Sequence, residues 1–394
     1  GVERTVAMAR ILYVSDGYST HDRRFLERLA ESEHEVWHQS CATDSIRCET
    51  RPLPAGIHLL PPLNGETISP GNINWICAAL RFRRVMREVQ PELVHAGPVQ
   101  TGGFFAALTG FHPLLIMSWG SDVLVAPDKS AWMRWITKFT LRRADIALGD
   151  CNAVRERISS LAALSHDRIV TFPWGIDLSV FRPKISELGL RQKLGWAECR
   201  VIVSTRSFEA THGTMIFLDA MRRVLAQQSD VRVLMLGDGS LRAQVETFIE
   251  TNGLRERIHL AGQVREDLLA DYFAEANLYV SAACCDGSSI SLLQAMGCGL
   301  PAIVTDGYGN REWVFHRENG WLYPAGNVDA LVTTVFEALR EEELRAAMGE
   351  ANVAVVRSRA NWELNFGKLL ATYDKLLFHT AVREVKTDAQ LSNW

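Results

Sequence analysis

The sequence predicts an α/β protein made of two Rossmann-like domains with parallel sheets. Near the N-terminus, residues 10–15 form an apolar β-run that leads through a turn containing Gly17 to a helix starting near His21. In the second half, residues 276–306 indicate strand, polar turn, helix and strand in immediate succession, which is a βαβ unit. The chain has 394 residues, too many for one core and enough for two domains of roughly 150 to 200 residues each.

In the first domain, short apolar runs rich in β-forming residues alternate with helical patterns. The predicted strands are 10–15, 34–39, 92–96, 114–118, 145–149 and 169–174. Helices are predicted from near His21, over 73–89 and over 130–143. The stretch 40–72 contains several prolines and few periodic signals, so irregular structure is expected there.

In the second domain, the same reasoning predicts a parallel sheet and a phosphate-binding helix. The predicted strands are 201–205, 231–236, 258–262, 277–282 and 300–305. A helix is expected to begin at Ser288 or Ser289, with a hydroxyl capping its first N–H groups, and to end at Gly297 and Gly299. Its N-terminus would follow a parallel strand, where free N–H groups and the helix dipole suit the phosphates of a nucleotide.

Composition and charge exclude several classes of protein. A content of 47% hydrophobic and 22% charged residues is ordinary for a soluble protein, and a net charge of −4 gives no basic surface for nucleic acid. The longest apolar run, 102–120, is interrupted by Gly110, His112 and Pro113, so we expect helix, turn and strand rather than a membrane span. No secretion signal is visible, which favours the cytoplasm.

The eight cysteines form no C-x-x-C pair and no spacing suited to zinc. We therefore expect free or buried thiols in a reducing compartment and no metal site. No Ser-His-Asp ordering and no P-loop is present either, so a hydrolase or kinase is not indicated.

The stretch 276–306 also resembles a known family. Asp286, seven residues, Gln294 and then Ala-Met-x-x-Gly-x-Pro are similar to the signature of retaining glycosyltransferases of the GT-B fold, family 4, also called glycosyl transferases group 1. Further partial matches follow the same order along the chain. They are the interdomain junction at 173–177 and 181–183, the loop and hairpin at 306–313 and 318–322, and the last helix at 362–373.

The resemblance implies an α/β GT-B fold, with two Rossmann-like domains whose parallel sheets face a central cleft. The N-terminal acceptor-binding domain would be residues 1–175, followed by an interdomain linker at 176–198. The nucleotide-sugar-binding domain would be residues 199–360. A C-terminal helix at 361–394 would pack back toward the N-terminal domain.

The resemblance also implies the site residues. Asp286 and Arg206 would be catalytic: Arg206 holds the developing charge of the diphosphate, and Asp286 holds the sugar. Gln294 would bind the ribose. The other expected binding residues are Gly287, Ser288, Ser289, Ile290 and Ser291 at the helix start, Gly262 and Val264 near the base, and His212, Gly17 and Asp122.

Three positions depart from the family pattern. Gln294 replaces a second acid and offers one carbonyl oxygen where a carboxylate would accept two ribose hydroxyls, so we expect weaker donor binding that Gln294→Glu would restore. Thr211, beside His212, replaces a lysine. Trp119 replaces a histidine, which the expected mechanism tolerates if the leaving phosphate receives the acceptor proton. For His95, at an earlier strand end, two interpretations stay open: a functional histidine, or a structural one hydrogen-bonded to backbone.

The function implied is retaining, metal-independent transfer of a hexose from a nucleotide diphosphate sugar to an acceptor hydroxyl. The donor serves as substrate and no cofactor is expected; UDP-linked donors are favoured over GDP-linked ones. The acceptor would be a sugar, a glycolipid or a small molecule, in glycan, glycolipid or polysaccharide synthesis. Two alternatives stay open: a non-catalytic GT-B relative that binds nucleotide sugar or a partner enzyme, and a GT-B nucleotide-sugar epimerase.

The helix predicted over 130–143 has an aromatic stripe with two interpretations. Trp132, Trp135, Ile136 and Phe139 share one face, and cationic side chains lie elsewhere on the helix. The stripe is either the core face of the helix or a surface that docks peripherally on the anionic inner face of a membrane. Arginines at 81, 83, 84 and 87 would add to a basic surface.

Overall fold

A computed structural model of the protein describes residues 8–41, 49, 51–63 and 74–391. The chain divides into two compact units. The first unit takes the residues up to Phe172 together with those from Phe366 onward, and the second unit is Pro173–Asn365. Among the described residues, no helix combines the length and the apolar character needed to span a membrane.

The first unit contains a seven-stranded parallel sheet in the order β3-β2-β1-β4-β5-β6-β7. Its strands are β1 (Arg10–Ser15), β2 (Glu35–Ser40), β3 (Ile57–Leu59), β4 (Leu93–Ala96), β5 (Leu114–Met117), β6 (Ile146–Gly149) and β7 (Ile169–Thr171). All except β3 were predicted. β3 lies in the proline-containing stretch, and because it is a largely exposed edge strand it lacks the apolar run that marks the others.

Helices of the first unit follow the strands. They are α1 (Thr20–Ala30), α2 (Asn74–Val89), α3 (Gly102–Thr109), α4 (Ser121–Leu124), α5 (Ala131–Arg143) and α6 (Asn152–Ala162). Helix α1 begins with a capping box, in which Ser19 Oγ accepts from the N–H of Asp22 and the Asp22 carboxylate accepts from the N–H of Ser19. The run 102–120 forms the helix, turn and strand expected from its Gly and Pro residues.

The second unit contains a six-stranded parallel sheet in the order β10-β9-β8-β11-β12-β13. Its strands are β8 (Arg200–Ser204), β9 (Val231–Leu236), β10 (Ile258–Gly262), β11 (Leu278–Val280), β12 (Ala302–Thr305) and β13 (Gly320–Tyr323). The expected hairpin at 318–322 is wrong. Strand β13 pairs in parallel with β12 and extends the sheet at its edge.

The helices from Leu190 onward complete the chain. They are α7 (Leu190–Lys193), α8 (Thr214–Gln227), α9 (Arg242–Thr251), α10 (Glu266–Ala274), α11 (Ile290–Gly297), α12 (Val328–Arg340), α13 (Glu342–Arg359) and α14 (Trp362–Leu391). The sheet of the second unit is buried on both faces. Ile202 belongs to one apolar cluster while its neighbours Val201 and Val203 belong to another, because successive strand residues point to opposite faces.

In the first unit, α14 packs through aromatic side chains. The Phe366 and Phe25 rings are 6.3 Å apart between centroids, and the Tyr373 hydroxyl lies 2.5 Å from Nδ1 of His95 at the end of β4. The other ring nitrogen of His95 lies 3.3 Å from Met117 Sδ. His95 therefore contacts side chains rather than the expected backbone group. Its complete burial lowers its pKa to about 3.

This buried histidine should couple folding stability to pH. The unfolded state, with a histidine pKa near 6.5, binds a proton that folded His95 does not, so stability is lost as the pH falls from 6.5 toward 3. In urea unfolding measured between pH 6 and pH 4, His95→Gln should reduce this slope by up to roughly 1.4 kcal/mol per pH unit. Other titrating groups contribute equally to the parent and to the variant, so their effects cancel in the difference between the two slopes. Equal slopes for parent and His95→Gln would contradict the burial effect, and half-exposed His166→Gln serves as the control.

Candidate functional site

The loop between β11 and α11 is joined to Arg206, which follows β8 on the neighbouring strand of the sheet. Arg206 Nη1 donates to Ser289 Oγ at 2.8 Å and to Ser291 Oγ at 3.1 Å. The expected hydroxyl cap is therefore wrong. Ser289 is the N-cap residue of α11, but its side chain makes no cap hydrogen bond because its oxygen faces Arg206. The Ser289 side chain thus leaves the N–H groups of the first turn to other partners.

The two expected catalytic residues form one ion pair. Arg206 Nη2 lies 2.6 Å from Asp286 Oδ1, and each side chain is 14% exposed. Burial works against the charge of the guanidinium, but the neighbouring groups together, with the Asp286 carboxylate foremost among them, raise the pKa of Arg206. Arg206 thus stays charged in a place where solvent screens it little, so its hydrogen bonds are charge-assisted.

Beneath this pair, Tyr279 of β11 supports the start of α11. Its hydroxyl lies 3.0 Å from Ser291 Oγ, and burial raises the pKa of this tyrosine. The side chain is completely buried. Tyr279 therefore stays neutral and holds the hydroxyl that accepts from Arg206.

The loop after β12 supports Asp286 from the other side. The N–H of Gly309 donates to the carbonyl of Asp286 at 3.2 Å, and a Cβ added to Gly309 would lie only 2.1 Å from the carbonyl oxygen of Gly287. Trp313 Nε1 donates to Ser288 Oγ at 3.0 Å. The backbone at 286–288 is thus held by a close glycine approach and a buried indole.

Gln294 lies on the second turn of α11 and is only 5% exposed. Its Nε2 lies 3.5 Å from Oε1 of Glu266, the first residue of α10. Sequence reasoning missed Glu266, because no periodic pattern links residues on two helices. The structure places a carboxylate beside the position where the family pattern has one.

The expected base-binding residues lie at the end of β10. Gly262 has φ +71°, and its carbonyl accepts from the N–H of Gly237 at 2.8 Å. A Cβ on Gly237 would lie 2.5 Å from the Arg206 carbonyl oxygen, so this glycine lets the end of β9 approach Arg206 closely. Val264 is partly buried against the core of the second unit. Gly262 therefore lies at the same carboxyl end of the sheet as Arg206, and Val264 follows it two residues later in the chain.

His212 lies in a short turn of 3₁₀ helix before α8. Its Nδ1 is 2.7 Å from Ser207 Oγ. A Cβ on Gly213 would lie 2.2 Å from the Ala282 carbonyl oxygen, and the N–H of Cys284 donates to the carbonyl of Thr211 at 3.4 Å. The turn with Thr211 and His212 therefore contacts the loop that leads to Asp286.

Gly17 and Asp122 belong to the first unit, where both contact their own loops. The carbonyl of Gly17 accepts from Ser15 Oγ at 2.5 Å. Asp122 accepts from the N–H groups of Val99 and Trp119 at 3.0 Å and from a serine hydroxyl at 2.7 Å. Burial raises the pKa of Asp122, which these hydrogen bonds oppose. Asp122 thus organises the loop with Trp119.

Within the described part of the chain, no group of three or more His, Cys, Asp and Glu side chains could hold a metal ion. Cys41, Cys77, Cys199, Cys284 and Cys298 are free thiols. Cys48 lies outside the described residues.

Two family models match the chain. The model described as "Glycosyl transferases group 1" matches residues 189–354, and the one described as "Glycosyl transferase 4-like" matches residues 10–148. An amylovoran biosynthesis glycosyltransferase, AmsK of Erwinia amylovora, is 28% identical over 43% of this chain and 42% of its own length. A GDP-mannose-dependent phosphatidylinositol monomannoside mannosyltransferase of Corynebacterium glutamicum is 24% identical over 59% of each chain. The chain spans about half the length of these curated relatives.

Solved structures match over nearly the whole chain. Sucrose-phosphate synthase from Thermosynechococcus elongatus has a TM-score of 0.79 at 17% identity, covering 94% of this chain and 100% of its own. The Anabaena protein HepE in complex with UDP has a TM-score of 0.75 at 16% identity, with the same coverage. The predicted GT-B fold is confirmed by these neighbours and by the two parallel sheets.

The close approach at Gly309 should make the Asp286 loop intolerant of a single methyl group. Gly309→Ala would press its Cβ against the Gly287 carbonyl, so we expect a loss of about 1–3 kcal/mol in unfolding free energy by urea titration. Gly307 is the matched control, since its backbone is extended and nothing lies within 4 Å of an added Cβ. A Gly309→Ala protein as stable as Gly307→Ala would show that the contact does not hold the loop.

Proposed function

Because the chain belongs to the group 1 glycosyltransferases of the GT-B fold, we propose that it transfers a hexose from a nucleotide diphosphate sugar to an acceptor hydroxyl, with retention of configuration. The observation behind this proposal is the largely buried Arg206, held by Ser289, Ser291 and Asp286 at the start of α11. A fixed cation beside a helix N-terminus provides positive potential for a departing diphosphate.

In the proposed reaction, the bond between the anomeric carbon and the diphosphate oxygen breaks as the acceptor oxygen attacks from the same face. Arg206 and the N–H groups of the first turn of α11 stabilise the charge that develops on the leaving diphosphate. The acceptor proton passes to a phosphate oxygen, so Trp119 need not act as a base. Asp286 orients Arg206 and accepts hydrogen bonds from sugar hydroxyls. No metal is required, because the cation and the helix terminus supply the positive potential.

The relatives support a donor of this class. HepE structures contain UDP, UDP with glucose, or UDP-glucose, whereas the Corynebacterium relative is named for GDP-mannose. We favour UDP as the nucleotide. The names of the relatives point to polysaccharide and glycolipid synthesis, which agrees with a sugar or glycolipid acceptor.

One observation favours a second candidate, a relative that binds nucleotide sugar without turning it over. Thr211 stands where the family pattern has a lysine, so one of the two expected fixed cations is absent from that position. The two candidates differ in one measurable property, which is transfer of the sugar by a protein that binds the donor.

Two variants at the ion pair separate binding from transfer. Arg206→Ala should weaken UDP binding in calorimetry by about 1.5–3 kcal/mol, because a charge-assisted contact to phosphate is lost. Asp286→Ala should still bind UDP but release or transfer no sugar from UDP-glucose by mass spectrometry. Arg223→Ala is the control, since Arg223 pairs at the surface with Asp219 and Asp329.

Unchanged UDP affinity in Arg206→Ala would show that the diphosphate site lies elsewhere. A parent that binds UDP, GDP or ADP sugars but transfers none of them, with extracts of its own cell supplied as acceptor, would favour the binding-only candidate.

We also propose that the first unit docks on an anionic membrane through an aromatic face formed by Ile76 and Leu80 of α2 and Trp132 and Trp135 of α5. These side chains are between 43% and 60% exposed. The two tryptophan rings stack with centroids 5.0 Å apart. Of the stripe expected from the sequence, Ile136 is buried whereas Trp132 and Trp135 are exposed, so the core interpretation does not describe the whole stripe.

Helix α3 connects the two helices that carry the aromatic face. Buried Phe104 of α3 lies between them, with its ring centroid 6.5 Å from Trp135 and 6.0 Å from Trp75. Exposed arginines on the same two helices would attract anionic lipid. They are Arg81, Arg83, Arg84 and Arg87 on α2, and Arg134, Arg142 and Arg143 on α5.

This surface predicts salt-sensitive binding to vesicles. The parent should co-sediment with phosphatidylglycerol vesicles at low salt and dissociate as salt screens the arginines. Trp132→Ala with Trp135→Ala should reduce the bound fraction at every salt concentration. Ile185→Ala, which removes a 91% exposed side chain of the second unit, should not. Recovery of all parent protein in the supernatant at low salt would contradict the proposal.

A further inference from the structure

The contact between Gln294 and Glu266 lies next to the proposed diphosphate site. Ser291 and Gln294 are three residues apart on α11, so they share a helix face. Ser291 contacts Arg206, and one turn further along Gln294 contacts Glu266. The carboxylate of Glu266 is therefore positioned about one helical turn from the groups that would hold the diphosphate.

The same carboxylate is close in sequence to the proposed base contacts. Glu266 comes two residues after Val264 and begins the helix that follows β10. In a nucleoside diphosphate, the ribose connects the base to the phosphates. A residue between the base contacts at 262–264 and the diphosphate contacts at Arg206 is therefore placed where the ribose would lie.

We propose that Glu266 accepts hydrogen bonds from the ribose hydroxyls of the bound nucleotide and that Gln294 positions its carboxylate. This inference rests on the proposed nucleotide binding. A carboxylate has two acceptor oxygens for a pair of neighbouring hydroxyls, whereas the amide of Gln294 has one oxygen. The amide N–H of Gln294 points to Glu266, and a donor to a carboxylate orients it through a charge-assisted hydrogen bond. Glu266 thus supplies the acid that position 294 lacks.

The contact between Gln294 and Glu266 reverses the expectation that Gln294→Glu would strengthen donor binding. In that variant two carboxylates would stand where an amide and a carboxylate now lie 3.5 Å apart. Like charges at this distance disfavour joint ionisation. The single variant should therefore bind nucleotide more weakly than the parent. Exchanging the two residues, as Glu266→Gln with Gln294→Glu, restores one acid and one amide and should recover much of the affinity.

The test compares a nucleotide with its counterpart that lacks both hydroxyls. Calorimetry is run with UDP and with 2′,3′-dideoxy-UDP, or with the matched GDP or ADP pair if the parent binds that base better. Glu266→Gln should lower the affinity for the ribonucleotide roughly tenfold to a hundredfold. Its affinity for the dideoxy form should be close to that of the parent. The exchanged double variant should again prefer the ribonucleotide.

Asp267→Asn is the control, because Asp267 is the next residue and pairs with Arg265 at the surface. It should keep the preference of the parent, and thermal melts should show that all variants are folded. If Glu266→Gln loses affinity equally for both nucleotides, or for neither, the role of Glu266 is overturned. UDP binding by the parent would still leave the proposed function standing. An exchanged variant no better than either single variant would overturn the positioning role of Gln294. A parent that binds no nucleoside diphosphate would overturn both proposals.

Discussion

The ion pair between Arg206 and Asp286 is the interaction on which the rest of the site depends. Arg206 follows β8 and Asp286 follows β11, which are neighbouring parallel strands, so the sheet itself brings both side chains to its carboxyl end. Neither charge could stay at 14% exposure without the other, since an uncompensated charge is costly away from water. Glycines at 213, 237 and 309 let the surrounding backbone approach closely enough to enclose the pair.

The pair also explains how the site could accept an anion without a metal. Arg206 Nη1 donates to two serine hydroxyls, and Arg206 Nη2 donates to the carboxylate of Asp286. Phosphate oxygens are stronger acceptors than hydroxyls, so a diphosphate can replace the serines while Asp286 keeps the guanidinium in place. The proposed reaction then needs little movement of the protein, because the cation and the start of α11 are already arranged.

The sequence was sufficient for most strands, and its family resemblance named Arg206 and Asp286 as site residues but not the ion pair between them. The success with the strands has a physical reason. Parallel strands buried on both faces produce uninterrupted apolar runs, and functional residues follow their carboxyl ends. Edge strand β3 was not predicted, because it is mostly exposed and therefore lacks an apolar run. The prediction of a serine cap was wrong because the Ser289 hydroxyl accepts from Arg206 instead. These two residues are 83 positions apart in the chain. Glu266 was missed for the same reason, since it meets Gln294 across two helices. Periodicity located the aromatic stripe of α5 but could not tell that Trp132 and Trp135 face outward.

A crystal structure with UDP tests the central claim most directly. The account predicts diphosphate oxygens within hydrogen-bond distance of Arg206 Nη1 and of the N–H groups at the start of α11, with Asp286 still bound to Arg206. A complex in which the diphosphate lies elsewhere, while Arg206 keeps both serine contacts, would contradict it.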